Sequence, residues 1–206
     1  MIIKRFMVGP IETNCYVVTC PETRETVVID PGGYDAPLAE YIEDQKLPVK
    51  YIINTHSHFD HTGGNRKIKE ATGAPLLIHK TEAGALSRTS ALGLMFGMRI
   101  DKSPPADQFI AEGDEITFGT ITLKVTETPG HSPGSVTLYT DKVAFVGDAL
   151  FAGSIGRTDL PGGSYNTLIQ SITEKILPLG DDTIVCSGHG PETTVGQEKL
   201  YNPFLR

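Results

Sequence analysis

Short apolar runs alternate with helix-period segments along the whole chain. "NCYVVTC" and "ETVVID" read as neighbouring strands, with "CPETRE" as a turn-rich connection. From Asp35 the pattern changes to helical spacing: Asp35 is placed to cap a helix, Pro37 fits its first turn, and Leu38, Tyr41 and Ile42 share one face. "VKYIIN" is a short apolar strand, followed by a polar loop and a helix that should stop at Gly73. "PLLIH" is another strand, and residues 81–98 read as mostly helical despite their glycines. "DEITFGTITLKVTET" predicts a strand pair turning at Gly119, and "SVTLYTDKVAFVGD" a second pair turning near Asp141. Ser164 should cap a helix whose buried stripe is Leu168, Ile169, Ile172 and Ile176, and "DTIVCSG" is a last strand. No linker, low-complexity run or fixed-period repeat interrupts the chain. Hairpins and helices in both halves predict an α/β fold with sheets packed between helices, in one domain over residues 1–206.

Composition narrows this little but excludes some functions. The 206 residues are 39% hydrophobic and 21% charged, which is ordinary globular usage. A net charge of −7 argues against a nucleic-acid partner, whose phosphates demand basic patches. The opening "MIIKRFMVGPIETN" lacks the apolar run of about 7 to 15 residues of a secretory signal. "ALGLMFGMRI" is far shorter than the ~20 residues needed to span a bilayer, so no membrane partner is expected. Three cysteines make no disulfide framework. Cys15 and Cys20 fall on opposite strand faces, and free thiols in a reducing cytoplasm are the expectation.

The chemistry lies at the strand ends. "NTHSHFDHTGG" holds His56, His58, Asp60 and His61 in one short loop of a chain with six histidines. So many imidazole and carboxylate groups need a common partner to offset their desolvation, and a divalent metal supplies one. His56 follows "VKYIIN", His131 follows "ITLKVTETPG", Asp148 ends "KVAFVGD", and His189 follows "DTIVCSG". Each lies just past the carboxyl end of an apolar strand, where layered α/β folds build ligand sites. Seven such residues are too many for one tetrahedral zinc. They suit two neighbouring metals with a shared carboxylate and open positions, and no cysteine pair near them suggests a closed structural site. Zinc is the expected metal, with iron or manganese compatible with the same donors.

With "THSHFDH", "PGHSPGS", "VGD" and "SGHGPET" in order, the sequence resembles the metallo-β-lactamase superfamily, and within it the short bacterial glyoxalase II-like hydrolases. The likeness covers nearly the entire chain and extends to "SIGRTDLPGG" and "GPETTVGQEKLYNPFL". It implies a four-layer αββα sandwich with metals at one edge of the sheets. It also implies His56, His58 and His131 on one metal, Asp60, His61 and His189 on the other, and Asp148 bridging them. The commonest true β-lactamases carry cysteine at the position of Asp148, which argues against antibiotic hydrolysis. Flavodiiron proteins usually carry glutamate at the position of His58, and no flavin domain follows.

The implied reaction is hydrolysis of a small-molecule glutathione thioester such as S-D-lactoylglutathione, with Asp60 and Asp148 at the reacting centre. Long glyoxalase II enzymes have a C-terminal helical domain that contacts glutathione, and this chain ends soon after His189. The competing readings are an ester or lactone hydrolase and a persulfide dioxygenase with one Fe(II) on His56, His131 and Asp148. A non-catalytic metal-binding scaffold is disfavoured because every ligand position is filled. The resemblance implies that Arg157, the only cation in its loop, grips a substrate carboxylate, against an internal ion pair with Asp159 or a ligand carboxylate. Asp30 in "VVIDPGG" either braces the ligand loop or caps a turn. His79 is expected to be structural, Cys186 to pack within its strand, and residues 91–100 to be core helix or a mobile lid.

Overall fold

A computed structural model describes all residues, Met1–Arg206. The chain falls into two compact units, residues 1–110 with 117–122, and residues 111–116 with 123–206.

The first unit holds a six-stranded sheet in sequence order: β1 (Ile2–Val8), β2 (Thr13–Thr19), β3 (Thr26–Ile29), β4 (Val49–Ile53), β5 (Leu76–His79) and β6 (Gln108–Ile110). The first three strands are antiparallel, and β3 to β6 run parallel. Parallel strands need crossovers, and helices α1 (Ala36–Asp44) and α3 (Asn65–Thr72) provide two of them. Leu38 and Ile42 of α1 and Ile68 of α3 pack in one core with Val17, Val28, Ile52, Leu76 and Ile78. Helix α3 ends at Gly73, whose φ of +70° is the left-handed conformation expected of that glycine. Asp35 occupies the N-cap of α1 without capping it; its carboxylate instead accepts a hydrogen bond from Gly9 N at 2.7 Å. The first turn is left to Pro37, which needs no partner for its nitrogen.

Residues 81–98 form no single helix. The path is α4 (Lys80–Ala83), a 3₁₀ turn (Leu86–Arg88) and α5 (Thr89–Met95), broken at Gly84 and ended before Gly97, whose φ is +74°. Leu94, Met95 and Phe96 are exposed, so this segment is not the core helix its composition suggests. Cys15, Cys20 and Cys186 are free and buried, as expected.

The second sheet has the order β14-β13-β10-β9-β8-β7, with β7 (Glu115–Phe118), β8 (Ile121–Glu127), β9 (Val136–Tyr139), β10 (Val143–Gly147), β13 (Ile184–Ser187) and β14 (Thr193–Thr194). A short hairpin of β11 (Leu150–Phe151) and β12 (Ser154–Ile155) stands apart. Strand β10 is buried at every position and pairs parallel to β13. The crossover is α6 (Tyr165–Ser171), continued by a π-helical stretch, Ile172–Ile176. Ser164 caps α6 by accepting from Thr167 N at 3.3 Å. Leu168, Ile172 and Ile176 join Ala144, Val146, Val185 and Val195 in the core, with Ile169 packed at its margin. No helix is long and apolar enough to cross a membrane.

Candidate metal centre

In the first unit the ligand loop leaves β4 and is held from both sides. Asn54 donates from Nδ2 to the carbonyl of His61 at 3.0 Å, which closes the loop into helix α2 (Phe59–Thr62). Asn65 donates to Asn54 Oδ1 at 2.7 Å, and both side chains are buried. The "PGG" turn after β3 lies so close that a Cβ on Gly32 would sit 1.7 Å from the carbonyl oxygen of Asp60. Only glycine allows that approach.

Asp30 braces this cluster. It is buried, with a left-handed φ of +50°. It accepts from Thr55 N at 2.7 Å and from Thr55 Oγ1 at 2.6 Å, and its Oδ2 lies 3.1 Å from His61 Nδ1. The Thr55 hydroxyl has one proton and gives it to the carboxylate. Its 3.0 Å contact with His56 Nδ1 therefore runs from an imidazole N–H to the hydroxyl oxygen. His61 Nδ1 stands beside the same carboxylate. His56 is left with a lone pair on Nε2, the state a metal requires of a neutral imidazole. His56 Nε2 faces His58 Nδ1 at 3.1 Å, and His61 Nε2 lies 3.7 Å from Asp60 Oδ2. Donor atoms of Asp30, His56 and His61 also fall within 4.8 Å of one another. Because Thr55 and His61 already occupy the Asp30 carboxylate, we place it behind the ligands rather than among them.

In the second unit His131, Asp148 and His189 follow β8, β10 and β13. Asp148 Oδ2 lies 3.5 Å from His131 Nε2 and 3.7 Å from His189 Nε2, so one carboxylate oxygen faces two imidazole nitrogens. His131 Nδ1 is 2.8 Å from the carbonyl oxygen of Arg157, which can only accept. The proton is thus on Nδ1 and the lone pair on Nε2, as in His56. Gly156 makes the contact possible: a Cβ there would meet the Asp148 carbonyl oxygen at 1.8 Å and His131 Nδ1 at 3.1 Å. Gly130, at φ +131°, lets α6 pack against the turn before His131, where a Cβ would meet Leu168 N at 2.3 Å.

The donor set fits a divalent metal. It offers imidazole nitrogens with fixed lone pairs and carboxylate oxygens, with no thiolate, which suits zinc, iron or manganese.

The Arg157 side chain is turned to Asp159, with Nε to Oδ1 at 2.8 Å and Nη2 to Oδ2 at 2.7 Å, both groups being exposed. The pairing raises the Arg157 pKa and holds the Asp159 carboxyl down at about 2. What Arg157 gives the ligand cluster is its carbonyl. His79 accepts from Thr81 N at 3.3 Å and so caps α4, the structural role expected of it. Sequence reasoning missed Thr55, Gly32 and Gly156, because a hydroxyl beside a histidine or a glycine in a Gly-rich loop carries no spacing signal. Only Asp30, at a strand end, was marked.

The sequence signature of the metallo-beta-lactamase superfamily matches residues 8–189. The chain belongs to that superfamily. Curated members most like it include the probable metallo-hydrolase YqgX of Bacillus subtilis, 41% identical over 98% of this chain and 96% of that one. The hydroxyacylglutathione hydrolase GloC of Haemophilus influenzae is 38% identical over 100% and 98%. Human mitochondrial persulfide dioxygenase ETHE1 is 35% identical over 99% of this chain and 76% of its own. Among solved structures, the BLEG-1 B3 metallo-beta-lactamase superposes with a TM-score of 0.92 at 42% identity, over 99% of both chains. TTHA1623 in a di-iron-bound form gives 0.89 at 36%, over 98% and 100%. The α/β fold with two sheets is therefore the metallo-β-lactamase fold, and the chain carries the His/Asp metal-binding clusters of a metallo-hydrolase superfamily member.

Proposed function

We propose that this protein is a binuclear metal-dependent hydrolase of glutathione thioesters, S-D-lactoylglutathione among them. The observation that carries the reading is Asp148 Oδ2 facing two imidazole Nε2 atoms, where one carboxylate would serve two cations. Full-length likeness to a hydroxyacylglutathione hydrolase supports the substrate class. We assign His56, His58 and His131 to one cation, and Asp60, His61 and His189 to the other, with Asp148 common to both.

When bound, two divalent cations would supply a hydroxide nucleophile near neutral pH and polarise the carbonyl. The chain's own residues do the rest. Thr55, itself held by Asp30, and the Arg157 carbonyl hold the protons of His56 and His131 on Nδ1, so that these donors need no reorganisation. Thr13 donates to Asp60 Oδ2 at 3.5 Å and steadies that carboxylate. No general acid is required for the leaving group, because a thiolate with a pKa near 8.5 departs readily. Arg157 would meet a glutathione carboxylate by exchanging Asp159 for it, two exposed groups whose pairing is easily broken. The substrate is a small molecule, and three free thiols fit action in the cytoplasm.

Likeness to ETHE1 favours a second reading, a persulfide dioxygenase holding one iron on His56, His131 and Asp148. Likeness to a B3 enzyme brings a β-lactam into the same test, since the argument from Asp148 concerns only the cysteine-bearing type. The experiment is turnover of a panel: glutathione thioesters, a lactone, glutathione persulfide with oxygen uptake recorded, and a β-lactam. Thioester turnover without oxygen uptake is expected. Oxygen uptake with persulfide and no thioester turnover would select the second reading. In parallel, Asp148→Ala should lose metal and activity together with the fold intact; full turnover in that variant would remove the shared-carboxylate assignment.

A further inference from the structure

Ser57 is the single residue between the ligands His56 and His58, and a buried carboxylate holds it. Glu82, 3% exposed, accepts from Ser57 N at 3.0 Å and from the Ser57 hydroxyl through the same oxygen, Oε2. The topology brings the two together. Strands β4 and β5 are parallel neighbours, with Ile53 opposite Leu77, and Asn54 N continues the ladder onto the Leu77 carbonyl at 2.9 Å. The loop after β4 and helix α4 after β5 therefore leave the sheet side by side. His79 caps α4 immediately after the strand, which turns Glu82 toward the ligand loop.

We propose that Glu82 is a positioning residue of the metal centre, clamping Ser57 so that His56 Nε2 and His58 Nδ1 converge. The proposal rests on the metal reading above but not on the substrate. Two hydrogen bonds to one carboxylate oxygen fix the peptide that joins the two ligands, and with it the 3.1 Å approach of their nitrogens. A negative charge buried behind this loop is costly in the metal-free protein and is compensated when a dication binds nearby. Glu82 therefore acts on metal affinity twice, through geometry and through charge, without touching the ion.

Variants of the full chain separate these effects, with Zn²⁺ and Co²⁺ alone as probes. Glu82→Ala removes clamp and charge. Glu82→Gln keeps an oxygen able to accept both bonds and removes only the charge, while Ser57→Ala removes one of the two bonds. Chelator competition should show the Zn²⁺ dissociation constant of Glu82→Ala raised about 10- to 100-fold. Glu82→Gln and Ser57→Ala should show smaller rises. The visible bands of the Co²⁺ form should shift in Glu82→Ala and Ser57→Ala, where ligand geometry is loosened. The metal-free melting temperature of Glu82→Gln should be unchanged or higher, since a buried charge is gone, although its metal affinity is lower. A merely structural Glu82 would lower stability and affinity in step and leave the Co²⁺ bands in place; that pattern, or wild-type affinity in all three variants, overturns the clamp. If Glu82→Ala does not fold, Ser57→Ala and Glu82→Gln decide alone. A wild type that takes up neither ion overturns the metal reading and the clamp with it. Absent thioester turnover with intact Zn²⁺ affinity touches the substrate reading only.

Discussion

Thr55 has one proton to give, and that proton orders a chain of contacts from Asp30 to Nδ1 of His56. Thr55→Val keeps the shape and removes the hydroxyl. It should weaken Zn²⁺ binding by about 10-fold or more, because the His56 tautomer is no longer set and a buried imidazole N–H loses its acceptor. Chelator competition checks this, and wild-type affinity in the variant would show that the loop backbone alone sets the ring. At Arg157 the sign of the pH dependence is fixed by Asp159, whose carboxyl is held at about 2. A depressed carboxylate pKa gives a contribution that is present above the ordinary carboxylate range and fades as pH falls through about 2. Replacing Arg157 by Ala should therefore move the Asp159 titration up toward about 3.9 in a carbon-detected NMR titration. In kinetics the same variant should raise KM for a glutathione thioester with little change in kcat, as loss of uniform binding requires, and leave metal content alone. A fall in kcat with loss of metal would assign the side chain to the ligand loop instead. The metal-type residues were legible in the sequence because their residue types are rare and sit at strand ends. Thr55 and Gly156 were not, since their importance comes from contacts with residues far along the chain.

Glycine at position 156 decides whether the contacts around His131 can form. Gly156→Ala places a Cβ 1.8 Å from the Asp148 carbonyl oxygen, so the segment after β12 must move and carry the Arg157 carbonyl away from His131. A destabilisation of at least about 1–3 kcal/mol is expected, accompanied by weaker metal binding, measured by denaturant unfolding with and without Zn²⁺. Gly153→Ala, with open space around its Cβ but a φ of +71°, should cost conformational strain only and leave metal binding intact. Elements with a strong apolar signal were read correctly: "NCYVVTC" and "KVAFVGD" lie in strands buried throughout, and "VKYIIN" in a strand buried at its carboxyl end. Strand β1 was missed because Lys4, Arg5 and exposed Ile2 and Met7 break its alternation, as an edge strand tolerates. Strand β6 has three residues, too few for a period to show. Residues 81–98 are mostly helical, as their composition predicts, but in pieces, because Gly84 and Gly97 determine where the helices stop.

At the scale of the whole molecule, the sequence places ligands in both units, and the proposal requires all of them for one activity. Ligand binding to the folded state alone stabilises it by mass action. Removing metal with a chelator should therefore lower the melting temperature, and restoring Zn²⁺ should recover it along with turnover. The fold class was legible because each ligand motif repeats the same local logic, an apolar strand followed by a glycine-flanked polar turn. Substrate identity was less legible, because exposed loops such as the one holding Arg157 and Asp159 carry no periodic signal. The measurement that tests the central claim most directly is turnover of S-D-lactoylglutathione by metal-free protein titrated with Zn²⁺. The account predicts activity that rises to a plateau at about two equivalents per chain. A plateau at one equivalent, or thioester turnover without any added metal, would contradict it.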